Sequence, residues 1–176
     1  MTDSKIIYQG RRISLVSEVY QLPDGRSSEH VTVEHPGAVV VLPQDSEGRF
    51  VFVRQYRHSI RQTILEAPAG ALEKGEDPLA SAQREIREEI GERADRWTDL
   101  GTLYPTPGFC NEIQYLYLAS DLVPDRIPGD DDEFIEVERL TSAQIMEAVR
   151  SGELNDGKTL SILFRAQSLG FLRFPA

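Results

Sequence analysis

The 176-residue chain carries 29 acidic against 19 basic residues, and its net charge of −10 argues against binding nucleic acid or an anionic membrane surface. A hydrophobic content of 40% with 27% charged residues fits a globular chain with a real core and a small appendage. One cysteine, Cys110, excludes an internal disulfide framework, and no apolar run reaches the roughly 18 residues of a membrane span. The opening MTDSKIIYQG lacks the basic-then-apolar layout of a signal peptide, so a cytoplasmic location is expected.

In chain order, residues 5–34 read as strands: KIIY, then RRISLVSEVYQL, the turn Pro23-Asp24-Gly25, and SSEHVTV. That pattern predicts a small antiparallel β-unit, taken as residues 1–35, with a joint at His35-Pro36-Gly37 and the main domain over 36–176. GAVVVLP (37–43) and RFVFVRQYR (49–57), separated by a turn at Asp45 to Gly48, read as two buried strands. A helix is predicted to follow Asp77-Pro78. Asp77 is a suitable N-cap, and proline lacks only a donor that the first turn leaves unpaired anyway. Gly91 offers a permissive stop. Within that helix Leu79, Ala82, Gln83, Ile86 and Ile90 form a stripe for the core, whereas Glu85, Glu88 and Glu89 share another face on adjacent turns. Further strands are expected at 99–104, 112–119 and 134–138, and helices from Thr141 to about Arg150 and over roughly 158–169. Strands with interspersed helices in this order imply a mixed-sheet α/β sandwich.

The segment from Gly70 to Glu92, GALEKGEDPLASAQREIREEIGE, carries the chemistry. Gly70, Glu76, Arg84, Glu85, Ile86, Glu88, Glu89 and Gly91 fall in the order G-x5-E-x7-R-E-U-x-E-E-x-G, where U is a bulky aliphatic residue. Stacked carboxylates repel one another unless a cation or strong donors lie between them. Hard oxygen ligands of this kind suit Mg²⁺, with Mn²⁺ possible. A solvated acidic helix is the bland alternative, but the glycine loop and ordered spacing ahead of it favour a metal site for a pyrophosphate.

This segment resembles the signature of the Nudix hydrolases, enzymes that cut a nucleoside diphosphate linked to another group. Leu65-Glu66-Ala67-Pro68-Ala69-Gly70 and the loop from Tyr104 to Glu112 are similar to the ADP-ribose pyrophosphatase branch, where a proline about 15 residues past the box marks sugar-nucleotide substrates; Pro107 stands there. The resemblance implies an α/β/α sandwich with a mixed sheet, plus an N-terminal antiparallel β-unit that dimerises by exchanging strands. It implies an Mg²⁺-dependent pyrophosphatase of ADP-ribose or related nucleoside diphosphate sugars, acting as a homodimer on a small-molecule substrate.

By the same resemblance, the carbonyl of Ala69 with Glu85 and Glu89 would hold metal, and Glu88 would ligate metal or order its water. Arg57 would contact the diphosphate. Ala71, Thr106, Pro107, Gly108 and Glu112 would line the pocket, with Glu112 accepting from sugar hydroxyls, and Arg84 would orient the glutamates. The base is expected in the acidic loop Gly129-Asp130-Asp131-Asp132-Glu133, with Glu133 first and Asp131 second. Two departures stand out. The last box position, usually aliphatic, is Glu92, expected to disturb packing at the helix end. Cys110-Asn111 replaces a common Ser-Asp pair. Other readings are a triphosphate-sanitising hydrolase or a non-catalytic sensor of ADP-ribose. A sensor would normally lose box glutamates, and all are present here.

Overall fold

The computed structural model describes residues 3–129 and 134–175, so Glu133 and Asp131 lie outside the described residues. Strands β1 (Asp3–Gln9), β2 (Ser14–Gln21) and β3 (Ser27–Glu34) form a three-stranded antiparallel sheet. A β2–β3 hairpin pairs Ser14 with Glu34 through to Gln21 with Ser27, as the Pro23-Asp24-Gly25 turn predicts. Its last strand is tied to the loop after β8: Val33 N donates to Phe109 O at 2.7 Å, and Asn111 N donates back to Val33 O at 3.1 Å.

The rest of the chain contributes β4 (Ala38–Pro43), β5 (Phe50–Arg57), β6 (Gln62–Glu66), β7 (Ala69–Ala71), α1 (Pro78–Glu89), β8 (Glu92–Leu103), β9 (Gln114–Pro124), β10 (Ile135–Leu140), α2 (Ser142–Ser151) and α3 (Gly157–Ser168). One sheet has the order β7-β4-β9-β8, with β4 parallel to β9 and its other pairings antiparallel. The second has the antiparallel order β10-β5-β6.

Strand alternation divides the core into two layers. Val40, Leu42, Phe50 and Phe52 pack with Ile145 of α2 and Ile162 of α3. Their sequence neighbours Val39, Val41, Val51 and Val53 point the other way and pack with Ala82, Ile86 and Ile90 of α1. Successive side chains of a strand face opposite sides, so a run such as AVVVLP is buried throughout only when helices cover both faces. The result is the α/β/α sandwich with a mixed sheet that the sequence implies.

Several expectations change in detail. Ahead of the box, β6 ends at Glu66 and a short β7, which the sequence does not mark, pairs with β4 through Ala69, Gly70 and Ala71. The strand expected at 99–104 begins at Glu92 and runs to Leu103, with a bulge between Asp99 and Gly101. Gln83 is exposed, outside the core stripe. Glu85 and Glu89, expected to turn away from that stripe, are buried at its edge with 7% and 4% of their surface exposed.

Candidate active site

Helix α1 starts where the sequence says. The Asp77 side chain accepts from Leu79 N and Ala80 N, both at 3.0 Å, and Pro78 opens the helix. It ends at Ile90, followed by Gly91 at φ +74°, a left-handed position that favours glycine. A side chain there would also strike the Arg126 guanidinium within 3.0 Å.

Capping fixes the rotation of α1 and carries its glutamates onto β7. A Cβ built on Gly70 would lie 1.9 Å from the carboxyl carbon of Glu85, so that carboxylate rests directly against the glycine backbone. Ala69 N donates to Glu89 Oε2 at 3.2 Å. Arg84 joins the rest: it grips Glu76 through Nε (3.0 Å) and Nη2 (3.1 Å), and its Nη1 contacts Glu85 Oε1 at 2.8 Å and Glu88 Oε2 at 2.9 Å. The Glu76 hydrogen bond leads the effects that raise the Arg84 pKa above its ordinary value, and the same bond lowers that of Glu76. Arg84 therefore gathers Glu76, Glu85 and Glu88.

These groups form one wall of a cleft of about 980 Å³. Arg57, Ala69, Gly70, Ala71, Glu85, Glu88 and Glu112 line it, so β5, β7, α1 and the start of β9 converge on one space. Glu112 Oε1 accepts from Gln114 Nε2 at 2.9 Å, while the buried Gln114 Oε1 has no protein partner. Thr106, Pro107 and Gly108 lie elsewhere: they are exposed, in a turn closed by Phe109 N and Cys110 N donating to Thr106 O. They do not line the cleft of the single chain.

The cleft also holds residues that strand and helix patterning did not reveal, among them Arg11, Arg12, Lys74 and Lys158. Six basic side chains face four carboxylates in its lining, although the chain as a whole carries −10. Local positive charge of this kind draws an anion toward an otherwise acidic protein. Arg57 comes from the end of β5, and its Nε donates to Glu66 Oε1 at 2.7 Å. Burial works against its charge, but the Glu66 bond and nearby carboxylates outweigh burial and raise its pKa.

Among the described residues, no three His, Cys, Asp or Glu side chains converge as a ready metal cage. Glu85 and Glu88 instead share the Arg84 guanidinium. The donor chemistry nevertheless fits a hard divalent cation: carboxylate oxygens on adjacent helix turns, two of those residues buried, one packed on a glycine that leaves no room for a side chain.

Cys110 is buried and unpaired, consistent with a packing role. Trp97 and Tyr117 meet edge to face at 6.1 Å in the α1-side layer, as strand core residues do.

Comparison with known proteins gives the same picture. An ADP-ribose pyrophosphatase of Bacillus subtilis is 41% identical over 155 residues, covering 87% of this chain and 84% of the relative. A methanol dehydrogenase activator of Bacillus methanolicus is 38% identical over 156 residues, covering 88% and 84%. A crystal structure of an ADP compounds hydrolase superposes with a TM-score of 0.84 at 21% identity, over 98% of this chain and 96% of that one. The NUDIX domain family matches residues 34–160, the span from the end of β3 into α3 that carries the box carboxylates, Arg57 and Lys158; the chain belongs to the Nudix family.

Proposed function

We propose that the chain is an Mg²⁺-dependent pyrophosphatase that hydrolyses ADP-ribose or a related nucleoside diphosphate sugar to a nucleoside monophosphate and a sugar phosphate. We further propose that it works in the cytoplasm as a homodimer. The observation that carries the reading is the union of buried box carboxylates and cleft-lining cations around Gly70. The pyrophosphatase names of relatives such as that of Bacillus subtilis support the substrate class.

In this mechanism the Ala69 carbonyl, Glu85 and Glu89 would hold the divalent cation, with Glu88 beside them. When bound, it would supply charge neutralisation at the diphosphate and acidify a water. Arg57 binds a phosphate oxygen, and Arg84 keeps the glutamates aimed through its ion pairs with Glu76, Glu85 and Glu88. Ala71 and Glu112 flank the substrate, Glu112 accepting from a sugar hydroxyl. Thr106, Pro107 and Gly108 contribute to the sugar-side pocket in the assembled dimer. The water oxygen bonds to one phosphorus as the bridging P–O bond breaks, and its proton goes to a carboxylate base.

We assign that base to Glu133, with Asp131 second. The chain leading to it supports the assignment. Asp125 N donates to Gly91 O at 2.9 Å, Ile127 N donates to Arg87 O at 3.3 Å, and Arg126 Nη1 donates to Glu88 O at 3.3 Å. A Cβ on Gly129 would lie 3.5 Å from Glu88 Cβ, so the described chain reaches Gly129 beside Glu88.

Incubation with ADP-ribose and Mg²⁺, followed by chromatography, should yield AMP and ribose 5-phosphate, with kcat/KM at least tenfold above that for ATP or deoxynucleoside triphosphates. Preference for triphosphates would replace the substrate reading with the sanitising one. Binding of ADP-ribose without cleavage would support the sensor.

A further inference from the structure

Glu66 is fully buried, yet it carries a basic partner on each oxygen. Arg57 Nε donates to Oε1, and Lys158 Nζ donates to Oε2. Arg57 stands at the end of β5 and Lys158 in the first turn of α3, a hundred residues apart in the chain, and both line the cleft.

The start of α3 is locked in place for this. Asp156 caps the helix, its Oδ2 accepting from Thr159 N at 3.0 Å, Thr159 Oγ1 at 2.6 Å and Lys158 Nζ at 3.1 Å. The fully buried Thr159 Oγ1 in turn accepts from Ala67 N at 2.8 Å, just ahead of the Gly70 loop. Two chains of hydrogen bonds therefore join α3 to the end of β6, just ahead of the Gly70 loop. Glu66 and Asp156 take up two of the three ammonium protons of Lys158, and Glu66 takes up only Nε of Arg57. Arg57 by itself could neutralise Glu66. A second cation, fixed on the same carboxylate and lining the same cleft, has donors to spare for an anion.

We infer that Lys158 is a second phosphate-binding residue beside Arg57, and that Glu66 is the positioning residue that holds the two cations together against one substrate diphosphate. The pairing joins a planar guanidinium, suited to directed bonds, with a compact ammonium, suited to a phosphate oxygen as a point charge. The inference rests on the diphosphate-hydrolase reading for its substrate, but the clamp itself recognises any diphosphate anion.

The test is calorimetric titration of inorganic pyrophosphate in the presence of Mg²⁺, with steady-state ADP-ribose kinetics on the same proteins. Lys158→Ala should weaken pyrophosphate binding about tenfold and raise KM for ADP-ribose similarly, with kcat changed less than threefold. Lys158→Arg should restore affinity to within threefold of wild type. Glu66→Gln should also weaken binding about tenfold, and adding Lys158→Ala to it should cost less than threefold more, because the two act through one arrangement. Should Lys158→Ala fail to fold by circular dichroism, Lys158→Gln is read by the same thresholds. The inference is overturned if removing the ammonium changes pyrophosphate affinity less than threefold, if the double variant is fully additive, or if wild type does not bind pyrophosphate. If wild type binds pyrophosphate but leaves ADP-ribose intact, the substrate reading fails and the titration alone decides the clamp.

Discussion

Gly70 shows how one missing side chain can make a site. Its Cα faces the Glu85 carboxylate so closely that a methyl group would sit 1.9 Å from it, and neither β7 nor the capped α1 can retreat without breaking pairings. Gly70→Ala should therefore lower kcat/KM at least tenfold while the protein remains folded, as measured by ADP-ribose turnover beside a thermal melt. Glu85→Gln and Glu89→Gln should each cost about a hundredfold or more in kcat, because each removes a charge from a proposed metal ligand. Full activity of either variant, or of wild type in excess EDTA, would refute the metal assignment. Glu76 yields a pH prediction. Its bond to Arg84 lowers its pKa in the folded protein below the ordinary value of 4.5. A depressed carboxylate contributes stability that is present above its unfolded pKa and is lost as pH falls through the folded value. The melting temperature of wild type should drop as pH is lowered below about 4.5, and Glu76→Gln should drop less steeply over the same range. Parallel curves would remove Glu76 from the account.

Among the elements, the junction between α1, β8 and β10 departs from what the sequence suggests. Glu92, at a usually aliphatic box position, was expected to disturb the helix end. Instead Glu92 Oε2 accepts from Arg139 Nη2 at 2.9 Å, and Arg139 also approaches Asp45 at 3.7 Å. An ion pair fills the place of an apolar contact and ties the start of β8 to β10. Arg139→Leu should destabilise the fold by about 1–3 kcal/mol in urea, since it leaves Glu92 half-buried without a partner, and Glu92→Leu added to it should restore most of the loss. Additive losses would mean the pair is incidental. Elements with a strong local signature were legible in sequence: the capped α1, α2 opening at Thr141, and the all-apolar β4. Short β7 was not, because its three residues have no propensity of their own and become a strand only by pairing with β4. Lys158 escaped for a related reason. The Asp156 cap signals a helix, but only tertiary packing brings that helix against Glu66.

For the molecule as a whole, the question is what covers the N-terminal sheet. Three antiparallel strands make a poor independent core, and this sheet leaves Ile6, Ile7, Tyr8 and Tyr20 well exposed, with Tyr8 at 59%. The same sheet is bonded through Val33 to Phe109 and Asn111, next to the exposed Thr106–Gly108 turn that the family resemblance places at the sugar. The proposed second copy packed on the sheet would bury those apolar side chains and bring the turn toward a cleft, accounting for both. Light scattering at micromolar concentration should accordingly give about twice the 19.8 kDa of the chain. A chain beginning at His35 should lose most ADP-ribose hydrolysis, and it should run as a monomer. A monomeric wild type would refute the dimer, and full activity without residues 1–34 would leave the N-terminal sheet outside the working enzyme.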